Sequence, residues 1–166
     1  MDEVAVITGA SAGLGVHFAH ALAAEGHAVL LIARRGDRLD ALAAEIRARH
    51  GVRAESFPFD LSRRDAPAAV VAALAERGMT ANLLINNAGF GASGPFIDVP
   101  VDRQQEMIDL NCTTLVGLCH ALLPPMIARG RGGILNVAST AAFQPGPWMS
   151  IYFASKAFVL SFSEAL

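Results

Sequence analysis

Short runs of β-branched and apolar residues alternate along this chain with longer segments whose apolar residues recur at helical spacing. Residues 4–8, Ala28–Ala33, 53–59, 82–86 and 133–138 read as strands. Residues 13–26, 37–50, 64–77 and Val101–Arg129 read as helices, the last interrupted or ended near Pro124 and Pro125, and a final helix starts near Ser150. Strands that alternate with helices predict an α/β fold. The expected form is a doubly wound parallel sheet covered on both faces, with ligands at the carboxyl ends of the strands. Chemistry is therefore expected in the loops that follow each strand.

Composition narrows the picture. With 166 residues, 53% hydrophobic and 17% charged, and mean hydropathy +0.41, the chain can bury one sizeable core, so a single domain over residues 1–166 is expected. A net charge of -2 argues against a nucleic-acid partner, which would need a clustered basic face. Arg34/Arg35 and Arg63/Arg64 are too short as runs to make a polybasic arm. No basic stretch precedes the first strand-like run, as a secretory signal would require, so a cytoplasmic location is expected. Charged or polar residues are read as breaking every apolar stretch before it reaches a membrane span, and no membrane partner is expected. Cys112 and Cys119 lie seven apart without C-x-x-C spacing and read as small buried thiols. His17 and His20 lack a third ligand at matching spacing, and no metal site is expected.

The loop after the first strand carries the strongest phosphate signal. Gly9, Gly13 and Gly15 form a G-x-x-x-G-x-G loop that opens the first helix, with Ser11, Ala12 and Leu14 between them. Glycines here permit a tight turn and a close approach of backbone N–H groups to a pyrophosphate, while the helix N-terminus favours the anion. Nineteen residues after Gly15 comes Arg34, followed by Arg35, where an acidic residue would ordinarily bind the ribose 2′-hydroxyl of NAD. Arginine suits a 2′-phosphate instead, so NADP(H) is favoured over NAD(H). Asp60 and Leu61 follow the third strand. The Asp60 carboxylate suits an adenine amino group, or equally a helix N-terminal cap with Ser62. Asn86, Asn87, Ala88 and Gly89 follow the fourth strand. They read as a turn by composition and as a nucleotide contact by position.

The chain has one tyrosine, Tyr152, and one lysine, Lys156, against twelve arginines. Four residues apart on a helix, they share a face and can act on the same substrate atom. Lysine offers a compact point charge that favours a neighbouring phenolate, where arginine would offer a planar fork. Ser139 follows the fifth strand, thirteen residues before Tyr152.

Taken in order, Thr8 to Gly15, Asp60, Asn86 to Gly89, Asn111, Ser139 and the Tyr152/Lys156 pair resemble the short-chain dehydrogenase/reductase family along nearly the whole chain. The resemblance implies a Rossmann fold with strand order 3-2-1-4-5 continuing to two further strands. It implies a carbonyl/alcohol oxidoreductase using a nicotinamide cofactor. By the same resemblance, Tyr152 exchanges a proton with the substrate oxygen, Lys156 tunes it and contacts the nicotinamide ribose, and Ser139 donates to the substrate oxygen. Asn111 holds a water that links Lys156 to solvent. Relatives of this kind run for roughly another 80 residues with two more strands, so the chain reads as C-terminally truncated within the helix of Tyr152 and Lys156. Residues 90–93 and 143–148 are expected to form part of the substrate pocket. The resemblance further implies a homodimer or homotetramer assembled through the long helix and the active-site helix. An inactive nucleotide-binding module is the alternative reading.

Overall fold

The computed structural model describes residues 2–166. Its elements are β1 (Asp2–Thr8), α1 (Leu14–Ala24), β2 (Ala28–Ala33), α2 (Gly36–His50), β3 (Ala54–Pro58), α3 (Ala66–Glu76) and β4 (Met79–Asn86). There follow α4 (Val101–Ile108), a π-helical turn (Asp109–Thr114), α5 (Leu115–Arg129), β5 (Gly133–Asn136), a 3-10 turn (Thr140–Phe143) and α6 (Ser150–Ala165). The five strands pair in parallel in the order β3-β2-β1-β4-β5, the order the resemblance implied.

The central strands are apolar on both faces, as a sheet covered on both sides requires. Successive residues therefore belong to different layers. Val4 and Val6 of β1 and Leu30 and Ile32 of β2 pack with Val70, Leu118, Leu122 and Val159 from α3, α5 and α6. Ala5 and Ile7 of β1 and Val29 and Leu31 of β2 pack with Ala19, Leu39 and Ile46 from α1 and α2. Two helical layers thus clamp one sheet and turn the carboxyl ends of its strands toward a common edge.

The structure corrects the sequence reading at four places. β4 begins at Met79, three residues before the periodicity places it, because Met79, Thr80 and Ala81 pair with Asp2, Glu3 and Val4 of β1. β5 stops at Asn136, after which Val137 N–H still bonds to the Asn86 carbonyl. The helix over residues 101–129 does not end at Pro124/Pro125. Both prolines lie on its exposed side, and the irregularity falls instead at the π-helical turn. Finally, residues 110–128 carry no Asp, Glu, Lys or Arg. Val101–Arg129 is therefore long and apolar enough to cross a membrane, with an 18-residue window of mean hydropathy 1.4. In the fold, its Leu115, Leu118, Cys119, Leu122 and Met126 are spent on the sheet core.

Candidate active site

A cleft of about 1070 Å³ runs along the carboxyl ends of the strands. One wall is the loop between β1 and α1. Gly9 and Gly13 both adopt positive φ, +66° and +58°. A side chain on Gly9 would meet the Ala88 Cα at 2.9 Å, and one on Gly15 would collide with the Gly9 carbonyl oxygen. The loop is thus held down against the segment after β4, leaving its backbone open to the cleft. Thr8 makes that contact exact in register: its hydroxyl accepts from the backbone N–H groups of Asn87 and Ala88, both at 2.9 Å, and donates to Ile85 O. Asn87 Nδ2 donates back to the Thr8 carbonyl at 2.9 Å.

The end of the cleft beside the glycine loop is basic. Arg34 and Arg35 leave β2 beside the glycine loop, and Arg35 donates through Nε and Nη2 to Ser11 Oγ at 3.1 and 2.9 Å. Asp60 lines the same end. Its carboxylate accepts from Ser62 N–H and Oγ–H. Burial alone would push its pKa up, but the Ser62 bonds and the Arg34 and Arg63 charges outweigh this and hold it below the usual carboxylate value. The Ser62 contact closes a local turn and not a helix cap, since α3 begins at Ala66.

At the other end, Ser139, Tyr152 and Lys156 face the cleft together. Tyr152 and Lys156 stand on the first turns of α6, as their spacing predicts. Lys156 is 7% exposed, its Nζ donates to Val137 O at 2.7 Å and lies 5.9 Å from the Tyr152 ring centre. Burial lowers its pKa, slightly offset by the neighbouring Cys112. Ser139 caps the 3-10 turn, its oxygen accepting from Ala141 N–H at 3.1 Å, which leaves the hydroxyl proton to donate.

The lining fits a dinucleotide: a glycine cradle that a Cβ would fill, arginines at one end, and a tyrosine and a lysine at the other. Comparison with known proteins agrees. The family profile described as "short chain dehydrogenase" matches residues 3–166. The chain belongs to that family. Among curated relatives, the very-long-chain 3-oxoacyl-CoA reductase of Anas platyrhynchos is 39% identical over 98% of this chain and 53% of its own length. A short-chain dehydrogenase from Sphingobium yanoikuyae, solved with NADPH, superposes with a TM-score of 0.91 at 42% identity, covering 100% of this chain and 64% of that one. L-sorbose reductase from Gluconobacter frateurii, solved with NADPH and L-sorbose, gives 0.91 at 35% identity, over 99% of this chain and 62% of its own. The chain spans about half the length of the curated relatives it matches.

Within this short-chain dehydrogenase cleft, Gly13, Gly15 and Asn111 are the predicted site residues that do not line the cavity, together with Asn86 of the motif after β4, which is buried and donates to Asn136 Oδ1 at 2.9 Å. Gly13 is exposed and supplies the positive φ of the turn, and Gly15 packs against the loop backbone at Gly9 and Ala10. Asn111 is 2% exposed in the π-helical turn. Its Oδ1 accepts from Phe90 N–H, and its Nδ2 donates to Phe90 O and to Ser155 Oγ. A Cβ built on Gly89 would lie 3.0 Å from Asn111 Oδ1 and 3.6 Å from Lys156 Nζ, so this glycine keeps a small polar space open between amide and ammonium. Phe90 and Gly91 line the cleft as expected, whereas residues 143–148 do not. Met149 takes their place beside Tyr152, and Trp148 lines a separate shallow pocket with Ala92. Leu110 and Met149 also line the cleft without having been expected there, and the contact that Thr8 makes with the segment after β4 was not expected either. Only Thr8 carries a signal, as the residue that joins the first strand to its glycine loop.

His20 meets His50 at 3.3 Å and Glu45 at 3.5 Å, and no group of three metal-ligating side chains occurs among the described residues. Cys112 and Cys119 are free thiols whose pKa values burial pushes up.

Proposed function

We propose that this protein interconverts a small-molecule carbonyl and its alcohol with NADP(H), Tyr152 acting as proton donor in reduction and acceptor in oxidation. The observation that carries the reading is the placement of Tyr152, Lys156 and Ser139 in one cleft with the glycine loop and Arg34/Arg35. A bound nicotinamide supplies or accepts the hydride.

The chain's own residues do the rest. The Tyr152 hydroxyl gives its proton to the substrate oxygen, a transfer worth roughly 10² to 10⁴ in rate. The Lys156 ammonium favours the phenolate that remains and reaches the nicotinamide ribose. Ser139, its oxygen already engaged by Ala141 N–H, donates its proton to the same substrate oxygen and orients it. The space that Gly89 leaves between Asn111 and Lys156 supports a single water there, through which Lys156 is reprotonated. Arg34 and Arg35 take the 2′-phosphate, and Gly9, Ser11, Ala12, Leu14, Asp60, Leu61, Asn87, Ala88 and Gly89 bind the rest of the nucleotide. The one sheet with a core on each face supports a single nucleotide-binding domain over the chain.

The cofactor assignment is tested at Arg34. Arg34→Asp exchanges a phosphate partner for an acceptor of the ribose hydroxyl, and the ratio of NADPH to NADH dissociation constants is expected to shift toward NADH by at least roughly tenfold. An unchanged ratio would remove Arg34 from this role. Binding of NADPH without turnover on any of a broad carbonyl panel would leave the nucleotide-binding module as the better reading.

A further inference from the structure

A carboxylate stands beside the candidate 2′-phosphate site. Glu106, on α4, accepts from Arg34 Nη1 at 3.3 Å, although 72 residues separate the two in sequence. Its other oxygen accepts from Arg103 Nη1 at 2.6 Å, one turn earlier on the same helix. The Arg103 guanidinium in turn lies 3.7 Å over the ring centre of Phe90, on the cleft wall. One carboxylate is therefore shared between two guanidiniums, one free to enter the cofactor site and the other fixed on an aromatic face.

This sharing bears on cofactor choice. A 2′-phosphate that engages Arg34 must draw it from Glu106 or lie close to that carboxylate, and like charges at short range disfavour the second arrangement. Arg103 eases the first, because Glu106 keeps a 2.6 Å partner when Arg34 leaves. An NAD(H) ribose bears no such charge and competes for neither group.

We propose that Glu106 is a specificity-determining residue that holds Arg34 in an ion pair before the cofactor enters and so moderates the preference for NADP(H), with Arg103 as the residue that allows Arg34 to be released. This rests on Arg34 being the partner of the 2′-phosphate. Arg34 is 61% exposed at its side chain and Glu106 27%, so their ion pair is weak and the effect is graded.

The test is direct binding of NADPH and NADH, followed by the change in nicotinamide fluorescence, for the unmodified protein, E106Q and Arg103→Met. The methionine keeps an apolar stem on Phe90 while removing the charge. E106Q is expected to tighten NADPH binding roughly two- to fivefold with a smaller change for NADH, and R103M to loosen NADPH binding by a similar factor. Both shifts should shrink at 1 M salt. A general disturbance of the fold would weaken both cofactors in both variants, so the opposed signs identify the competition. Shifts of the same sign, or an NADPH/NADH ratio unchanged by E106Q, would overturn the proposal while an Arg34→Asp effect leaves the cofactor reading standing. No loss of NADPH binding in Arg34→Asp would remove Arg34 from the 2′-phosphate, and this proposal with it.

Discussion

At the scale of single residues, the site is built from side chains whose polar atoms are mostly committed to the protein, so that few remain to act on a ligand. Lys156 spends one N–H on Val137 O, Ser139 accepts from Ala141 N–H, and Asn111 spans Phe90 and Ser155. Asp60 is committed in the same way, and its lowered pKa has a measurable consequence. A carboxylate of this kind contributes stability that is fully present above its unfolded-state pKa, near 4, and that is lost as pH falls through the lower folded value. The melting-temperature difference between the unmodified protein and Asp60→Asn is therefore expected to narrow as pH drops below about 4. A gap of constant size down to pH 2 would show that the carboxylate contributes nothing. Tyr152 and Lys156 were legible in the sequence because each is the only residue of its type and their spacing matches a helix turn. Thr8 was legible as the start of the glycine motif but its role was not, because it acts on backbone N–H groups 79 and 80 residues away, a contact visible only once β1 and β4 are neighbours. Met149 escaped for a related reason: it reaches Tyr152 by the bend of the loop before α6, which no periodicity encodes.

At the scale of elements, the alternation of short apolar runs and helical segments located all five strands and the main helices, and errors fell where tertiary pairing overrides local preference. Met79–Asn86 is a strand to its first residue because β1 supplies the ladder. The prolines at 124 and 125 read as a helix end by local rules, yet the turns around them are held by a buried stripe, with Leu122 and Met126 at 4% and 3% exposure. Helix α5 thus owes its continuity to packing on one face. Leu118→Ala, at 1% exposure, is expected to cost about 2–5 kcal/mol in chemical denaturation, while Val101→Ala, at 65% exposure at the start of the same long helix, should stay within about 0.5 kcal/mol. Equal costs at the two positions would contradict the assignment of the buried face.

At the scale of the whole molecule, the strand order β3-β2-β1-β4-β5 brings the loops after all five strands to one edge, and this gathers residues from Gly9 to Lys156 into one cleft. Fold class and site were legible together because a doubly wound sheet puts its ligands where the connections emerge. The run over residues 110–128 carries polar residues but no charged ones, and these do not keep its mean hydropathy below that of a membrane span. The same helix leaves an apolar groove on its outer side with α6, lined by Val116, Leu123, Pro124, Ile127 and Phe162. That groove supports the expectation of a homodimer or homotetramer. Light scattering at micromolar concentration should give at least twice the protomer mass, and a protomer mass would contradict it.

The most direct test of the account is the Tyr152→Phe variant, with carbonyl-dependent NADPH oxidation and NADPH binding measured on the same preparation. The substitution removes one hydroxyl and no charge partner of the cofactor. Turnover is predicted to fall by at least roughly 10² while the NADPH dissociation constant changes by less than about threefold. Retained turnover, or an equal loss of turnover and of binding, would contradict the role assigned to Tyr152 and with it the proposed chemistry.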